Sequence, residues 1–258
     1  MIKYLSVSLL GVIILLVTLA PFITSNDPMQ TDQSVLSLPP LQSWTHPLGT
    51  DRFGRDVLSR ALYGGQHTLA VAAAAALLAV VGGLLLGLCS ELGTIMEQAT
   101  TALTNTLLAI PGLLVAFVIV TLVGQGTSAL LLAVGIAQIA PYARVVQGAA
   151  ISIQNEVYVE AAQALGASRR RIILHHILPN ITTTLLAYAC VVLSYCILNS
   201  AALSFLGLGT APGTPDWGVM LADGRAGFRT VWWVSLVPGI LITATVWVVN
   251  NLSDMLSD

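Results

Sequence analysis

The chain has 258 residues, 56% of them hydrophobic and only 9% charged, with a formal net charge of −2. Soluble domains carry about 25% charged residues, so this composition, with a mean hydropathy of +0.85, excludes an ordinary soluble fold and points to a bilayer. The absence of any basic excess excludes a nucleic-acid-binding face.

A helix needs about 20 apolar residues to cross the hydrocarbon core. The sequence therefore predicts an all-α, polytopic membrane protein, one domain over 1–258, with spans near 4–24, 67–89, 101–123, 127–147, 181–205 and 231–252. Lys3 followed by the apolar run Leu5 to Ala20 resembles a signal peptide. Its cleavage-like Thr18-Leu19-Ala20 is followed by Pro21, which is unsuitable after a scissile bond, so a retained span is expected.

The polar loop 25–66 contains "HPLGTDRFGRDVLSRALYGG". Phe53, Val57, Leu58 and Leu62 recur there at helical spacing, with Arg52, Arg55, Asp56 and Arg60 between them, which reads as a short interfacial amphipathic helix. Arg52, Asp56 and Arg60 are candidates for an outer gate or for contact with another protein. In the second span, Gly83 and Gly87 form a small-xxx-small pair that allows close helix approach. Pro111 predicts a kink in the third span. The fourth is charge-free only over 127–143, near the lower limit for crossing.

The fifth span carries Tyr195, Asn199, Ser200 and Ser204. These either line a path through the membrane shared with a partner subunit or hydrogen-bond neighbouring helices, and packing between helices is the favoured reading. The second polar loop, 206–230, is turn-rich, and its Asp216 and Trp217 are candidates for contact with an outer protein. Trp217, like Trp232 and Trp233, also fits an interfacial anchor. Cys89, Cys190 and Cys196 form no disulfide or metal pattern. Met220, His46 and His67 match no ligand spacing, so no metal site is assigned.

Charge placement is the more informative feature. No Asp, Glu, Lys or Arg occurs in 67–90, 98–143, 172–215 or 230–253. Carriers driven by ions keep ionisable groups at membrane depth, so uphill work by this chain must be powered from elsewhere. Lys3 is the sole lysine, and a phosphate-cradling GxxxxGK[ST] loop is therefore absent. With the N-terminus inside, Lys3, Arg144 and Arg169 to Arg171 face in while Arg52, Arg55, Arg60, Arg225 and Arg229 face out. That balance leaves orientation undecided by positive charge.

The scarce charge gathers in "EAAQALGASRRRIILHHILPN", Glu160 to Asn180. Val157 to Leu165 has helix-forming composition, Gly166 frees the backbone to turn, and Ser168 can cap a second helix from Arg169 that ends at Pro179. Ala161 and Ala162 keep this hairpin slim. On residues alone it is either a partner-docking element or a solvated topology anchor.

The stretch resembles the signature loop of ABC importer permeases, in which EAA, three residues, G, nine residues and I-x-L-P follow one another. Glu160-Ala161-Ala162, Gly166 and Leu178-Pro179 match at that spacing, while His176 stands where isoleucine is usual. "HPLGTDRFGRDVLSR" and "LSFLGLGTAPGTPDWGVML" are similar to segments of the second permease of dipeptide, oligopeptide and nickel importers. The resemblance implies a bacterial inner-membrane subunit with both termini cytoplasmic. Its loop, about 148–180, would dock through Glu160, Ala161, Ala162, Gly166, Arg169, Arg170, Leu178 and Pro179 on two ATPase subunits, which would hold ATP and magnesium. It further implies a second permease, an extracytoplasmic substrate-binding protein, no bond chemistry in this chain, and peptides as cargo, with nickel or a metal–chelator complex as the alternative. A nucleotide-independent carrier and a non-transporting scaffold are the rivals from other classes.

Overall fold

The structure, a computed structural model, describes residues 2–257, with side chains from Ser6 onward. Helix α1 (Ile2–Thr18) and the short α2 (Ala20–Ile23) make the first apolar segment, with Pro21 in the first turn of α2 where a missing N–H is harmless. A largely irregular polar segment follows, with one 3₁₀ turn at Gln33–Val35 and an isolated bridge between Thr50 and Asp56. Then come α3 (Val57–Cys89), a 3₁₀ turn (Ser90–Leu92), α4 (Thr94–Leu108), α5 (Gly112–Val123), α6 (Thr127–Ala137) and α7 (Ile139–Gln154). The chain ends with α8 (Val157–Ala164), α9 (Arg169–Ile172), a π turn (Ile173–Ile177), α10 (Leu178–Phe205), α11 (Trp217–Arg225) and α12 (Trp233–Ser257). Among the described residues the fold is all-α, with no strand.

Among the described residues, four continuous helical stretches are long and apolar enough to cross a bilayer: Val57–Leu92, Thr127–Gln154, Arg169–Phe205 and Trp233–Ser257. The expected third span, 101–123, is not a kinked rod. α4 and α5 meet at 89° across a short break. Pro111 is the residue before α5, where it offers no N–H to α4 and biases Ile110 away from helical dihedrals. The first apolar helix, Ser6–Thr18, falls short of a full crossing by itself.

The second span also starts earlier than expected. No separate amphipathic helix exists around Phe53 to Leu62, because Asp56 caps α3 by accepting from the Ser59 N–H at 2.8 Å and Val57 begins the long helix directly. Pro179 likewise does not end a helix. The π turn lets the Leu178 N–H reach back to the Ile173 carbonyl, so the chain passes the proline without a break from Arg169 to Phe205.

α3 packs along α6, α7 and α10, and α12 packs along α10, α11 and α1. In lipid, apolar surface gains little by meeting apolar surface, so close backbone approach and packing decide association. α3 buries a stripe of small residues, Ala72, Ala75, Ala76, Ala79, Gly83 and Gly87, and turns Leu77, Val81 and Leu85 outward. A β-carbon on Gly83 would stand 2.7 Å from Tyr142 Cβ and 2.8 Å from the Ile139 carbonyl oxygen. One on Gly87 would stand 2.5 Å from Val146 Cβ. Tyr142 extends the contact by donating to the Leu185 carbonyl at 3.0 Å, joining α7 to α10.

Gly83→Ala should therefore force α3 off α7 and destabilise the bundle by about 1–3 kcal/mol. Thermal unfolding in mild detergent is the check, with Gly11→Ala, where a β-carbon meets nothing within 4 Å, as the control expected to keep its midpoint.

Candidate functional site

The Glu160–Asn180 stretch forms a compact hairpin. α8 closes with Gly166 at φ +83°, the left-handed region glycine enters freely. The Gly166 N–H donates to the Gln163 carbonyl at 2.9 Å and the Ala167 N–H to the Ala162 carbonyl at 3.0 Å, a Schellman arrangement that satisfies the end of the helix. Ser168 then starts α9, its hydroxyl accepting from the Arg171 N–H at 3.4 Å.

One side of the hairpin is fixed to the bundle. Val159, Ile172, Ile173 and Ile177 are buried in the main core, and Tyr158 stacks obliquely near His176 with ring centroids 6.2 Å apart. The other side is bare. Glu160, Ala161, Arg169, Arg170 and Pro179 are exposed, Ala162 and Leu178 half-buried, and Leu165 at the tip is 89% exposed. Among the described residues, none of Glu160, Arg169, Arg170 and Arg171 forms an ion pair within the chain. A rigidly rooted, unpaired, mixed polar and apolar surface is chemically suited to contact with another protein.

Beside the hairpin root lies a cavity of about 550 Å³ between the 3₁₀ turn after α3, α4, α7 and α9. Glu91 and Gln147 line it. Both are more than nine-tenths buried, and among the described residues Glu91 Oε2 and both polar atoms of the Gln147 side chain have no hydrogen-bond partner. Sequence reasoning did not single out either residue. An isolated Glu at a helix end and a Gln in a helix carry no pattern that distinguishes them from solvated ones.

At the opposite end of α3, roughly 50 Å away for a 33-residue helix, the 25–56 segment is welded to the bundle. Arg55 Nε donates to Asp51 at 2.6 Å and its Nη2 to Asp223 at 2.7 Å, while Arg60 Nη2 donates to the same Asp223 oxygen at 3.1 Å. Arg60 also donates to the Gly213 carbonyl at 2.9 Å. Asp56 caps α3 and holds His46 Nδ1 at 3.0 Å. Asp216 caps α11, accepting from the Gly218 and Val219 N–H groups at 2.8 and 3.0 Å, and lies 3.2 Å from His67 Nδ1.

The expectation of a presented surface here needs correction. Asp56, Arg60, Asp216 and Trp217 are 3, 1, 1 and 0% exposed, because each is consumed by capping, ion pairing or packing within the chain. Trp217 donates from its indole to the Ala61 carbonyl at 2.8 Å, and Trp233, also expected as an anchor, is buried with its indole donating to Thr50 O at 3.1 Å. Arg52 is exposed, as is Trp232. Asp51 and Asp223 complete the cluster, and the sequence hid the latter because its partners lie 163 and 168 positions away.

The four polar residues of α10 do not act as one set. Tyr195 is 52% exposed and Asn199 half-buried, one turn apart on the open side of the helix. Ser200 and Ser204 are buried; Ser200 donates to the Ile197 carbonyl at 3.0 Å, and Ser204 packs under Gly209 and Gly218. A β-carbon on Gly218 would stand 2.3 Å from the Ala201 carbonyl oxygen, which shows how closely α11 sits on α10.

Fold and site together define a multi-pass helical membrane subunit with one solvent-facing hairpin. Residues 58–258 match the family described as binding-protein-dependent transport system inner membrane component, and the chain belongs to that family, the inner-membrane permeases of ABC importers. It is 34% identical over 250 residues to the di/tripeptide transport system permease protein DppC of Pseudomonas aeruginosa, covering 93% of this chain and 80% of that one. Against the oligopeptide transport system permease protein OppC of Haemophilus influenzae it is 34% identical over 254 residues, covering 98% and 82%. Among solved structures, a chain of the MetNI methionine ABC transporter in an inward facing conformation superimposes with a TM-score of 0.62 at 19% identity, covering 77% of this chain and 97% of that chain. That likeness establishes the fold.

This weld gives a stability prediction. Arg60→Ala removes a buried cation from Asp223 and from the Gly213 carbonyl, and should cost about 3 kcal/mol. Limited proteolysis should then cut the 25–56 segment faster than in the unsubstituted protein.

Proposed function

We propose that this chain is one of two permease subunits of an ATP-driven importer of peptides. The observation that carries the reading is the hairpin: it is rooted in the core by Val159, Ile172, Ile173 and Ile177 yet leaves Glu160 and three arginines exposed and unpaired. Such an element can receive a push from a docked protein and pass it to the bundle, since α9, the π turn and α10 form one continuous helix. The relatives, a di/tripeptide and an oligopeptide permease, favour peptides over nickel as cargo.

In this reading the first apolar segment and the bent α4–α5 pair complete six crossings, both termini and the hairpin lie in the cytoplasm, and the Arg55–Asp223 cluster faces outside. A second permease supplies the other wall of the path, to which Tyr195 and Asn199 contribute. Two ATPase subunits bind ATP and magnesium beneath the hairpins, and an extracytoplasmic protein delivers substrate. Closure of the ATPases moves the hairpins, and α10 transmits that motion to the membrane, opening the path outward; hydrolysis resets it. This chain breaks no bond. It offers no phosphate-binding loop, and the buried charges at the Asp51–Asp223 cluster are consumed in structural contacts.

Purification of the tagged chain from native membranes in mild detergent should yield a second permease and ATPases, with vanadate-sensitive ATP hydrolysis in the eluate. A lone chain without ATPase after gentle crosslinking, or peptide uptake independent of nucleotide, would overturn the proposal. Glu160→Ala should lower peptide uptake roughly tenfold or more, the loss expected for one charged hydrogen bond, while the ATPases still co-purify. Gly166→Val should impose about 1–2 kcal/mol of left-handed strain on the hairpin turn, and reduced ATPase retention in pull-downs is the check.

A further inference from the structure

The cavity at the hairpin root is too polar, and too poorly satisfied, to be packing space. Buried polar groups are ordinarily hydrogen-bonded, and each orphan is costly. Here Glu91 and Gln147 together leave three buried polar atoms without a partner on the wall of one cavity. The Ser90 hydroxyl donates to the Gly87 carbonyl at 2.6 Å and stands 3.2 Å from the other Glu91 oxygen.

The lining also carries both signs of charge on separate elements. Glu91 and Glu97 come from the turn after α3 and from α4, Arg144 from α7 and Arg169 from the hairpin. Among the described residues no carboxylate of this set lies within ion-pair distance of either guanidinium, and Arg144 donates through one Nη to the neutral Asn105 side chain, which leaves its charge unneutralised. Arg169 Nη1 instead rests over Gly93, 3.4 Å from where a β-carbon would stand. Isoleucines complete the wall, Ile173 among them. The volume, about 550 Å³, is that of a small-molecule site.

We propose that this cavity binds a small zwitterion, an amino acid or dipeptide with an aliphatic side chain, its ammonium group toward Glu91 and its carboxylate toward Arg144 and Arg169. Gln147 supplies the neutral donor and acceptor that a peptide or carboxyl group requires. The inference rests on the importer reading, which puts this end of the bundle in the cytoplasm where imported peptides and their hydrolysis products gather. A ligand seated here touches the end of α3 and the hairpin at once. Occupancy therefore pins the element through which the ATPases act and slows the cycle.

The test uses the whole transporter, this chain with its second permease and ATPases, in nanodiscs without the binding protein for titration and in proteoliposomes with it for uptake. Isothermal titration with leucine and with leucyl-leucine separates the two ligand sizes, and N-acetyl-leucinamide, which lacks both charges, is the control. Binding of at least one zwitterion but not of the control is expected, with ATP hydrolysis falling as the site fills. Glu91→Gln and Gln147→Leu should each weaken binding roughly tenfold or more. Thr101→Phe, on the α4 wall, should block binding by filling the space without disturbing a buried charge. All three are scored in assemblies that retain ATPase. Peptide import that persists while neither zwitterion binds, or binding indifferent to all three substitutions, overturns the site and leaves the importer reading intact. An unsubstituted assembly that neither binds a zwitterion nor couples ATP to uptake overturns both.

Discussion

The bundle depends on how near α3 can come to α6 and α7. Between helices in lipid there is little to gain from hiding apolar surface, so attraction comes from dispersion at short range and from the weak bonds that short range permits. The run of alanines and glycines from Ala72 to Gly87 sets that range, and Gly135 on α6 answers it by lying against Ala75 and Leu78. The bulky residues of α3 are placed elsewhere, at Leu77, Val81 and Leu85, where lipid rather than protein must accommodate them. Composition alone would make all these residues equivalent.

Because α3 is central and uninterrupted, its ends position the two polar regions of the molecule. Its first turn holds Asp56 and Arg60, and through them the 25–56 segment and α11. Its last turn delivers Ser90 and Glu91 to the cavity beside the hairpin. One end is densely satisfied, with nearly every charge engaged by an opposite charge or a backbone group. The other keeps orphaned polar atoms and unpaired arginines. A helix that is bonded at one end and under-satisfied at the other is constrained to yield at the second.

Much of this was legible in the sequence and some of it was not, for identifiable reasons. The hairpin could be read because its signals are local: Gly166 for a left-handed turn, Ser168 for a cap, alanines around them. The approach at Gly83 and Gly87 was legible for the same reason. The early start of α3 was missed because Asp56 looked like one charge among several on an exposed face, when its position makes it a cap. The burial of Trp217 and Asp216 was illegible because their partners, Ala61, His67 and Thr68, stand about 150 positions away. The right angle between α4 and α5 exceeded what Pro111 alone announces, and the continuity past Pro179 fell short of it. In each case the neighbouring geometry, a break or a π turn, decided how much the proline could do.

That π turn also sets direction. Each residue of an α-helix advances about 100° around its axis, so the widened turn at Ile173–Ile177 offsets everything before it, relative to an unbroken α-helix, by about a quarter of a revolution. The compass bearing of Arg169, Arg170 and Arg171 around the bundle is thus not written in the arginines or in the EAA stretch. It is set by a single surplus residue in the helix beneath them, and losing or gaining one position there would swing the whole hairpin to another quarter while leaving its own sequence untouched.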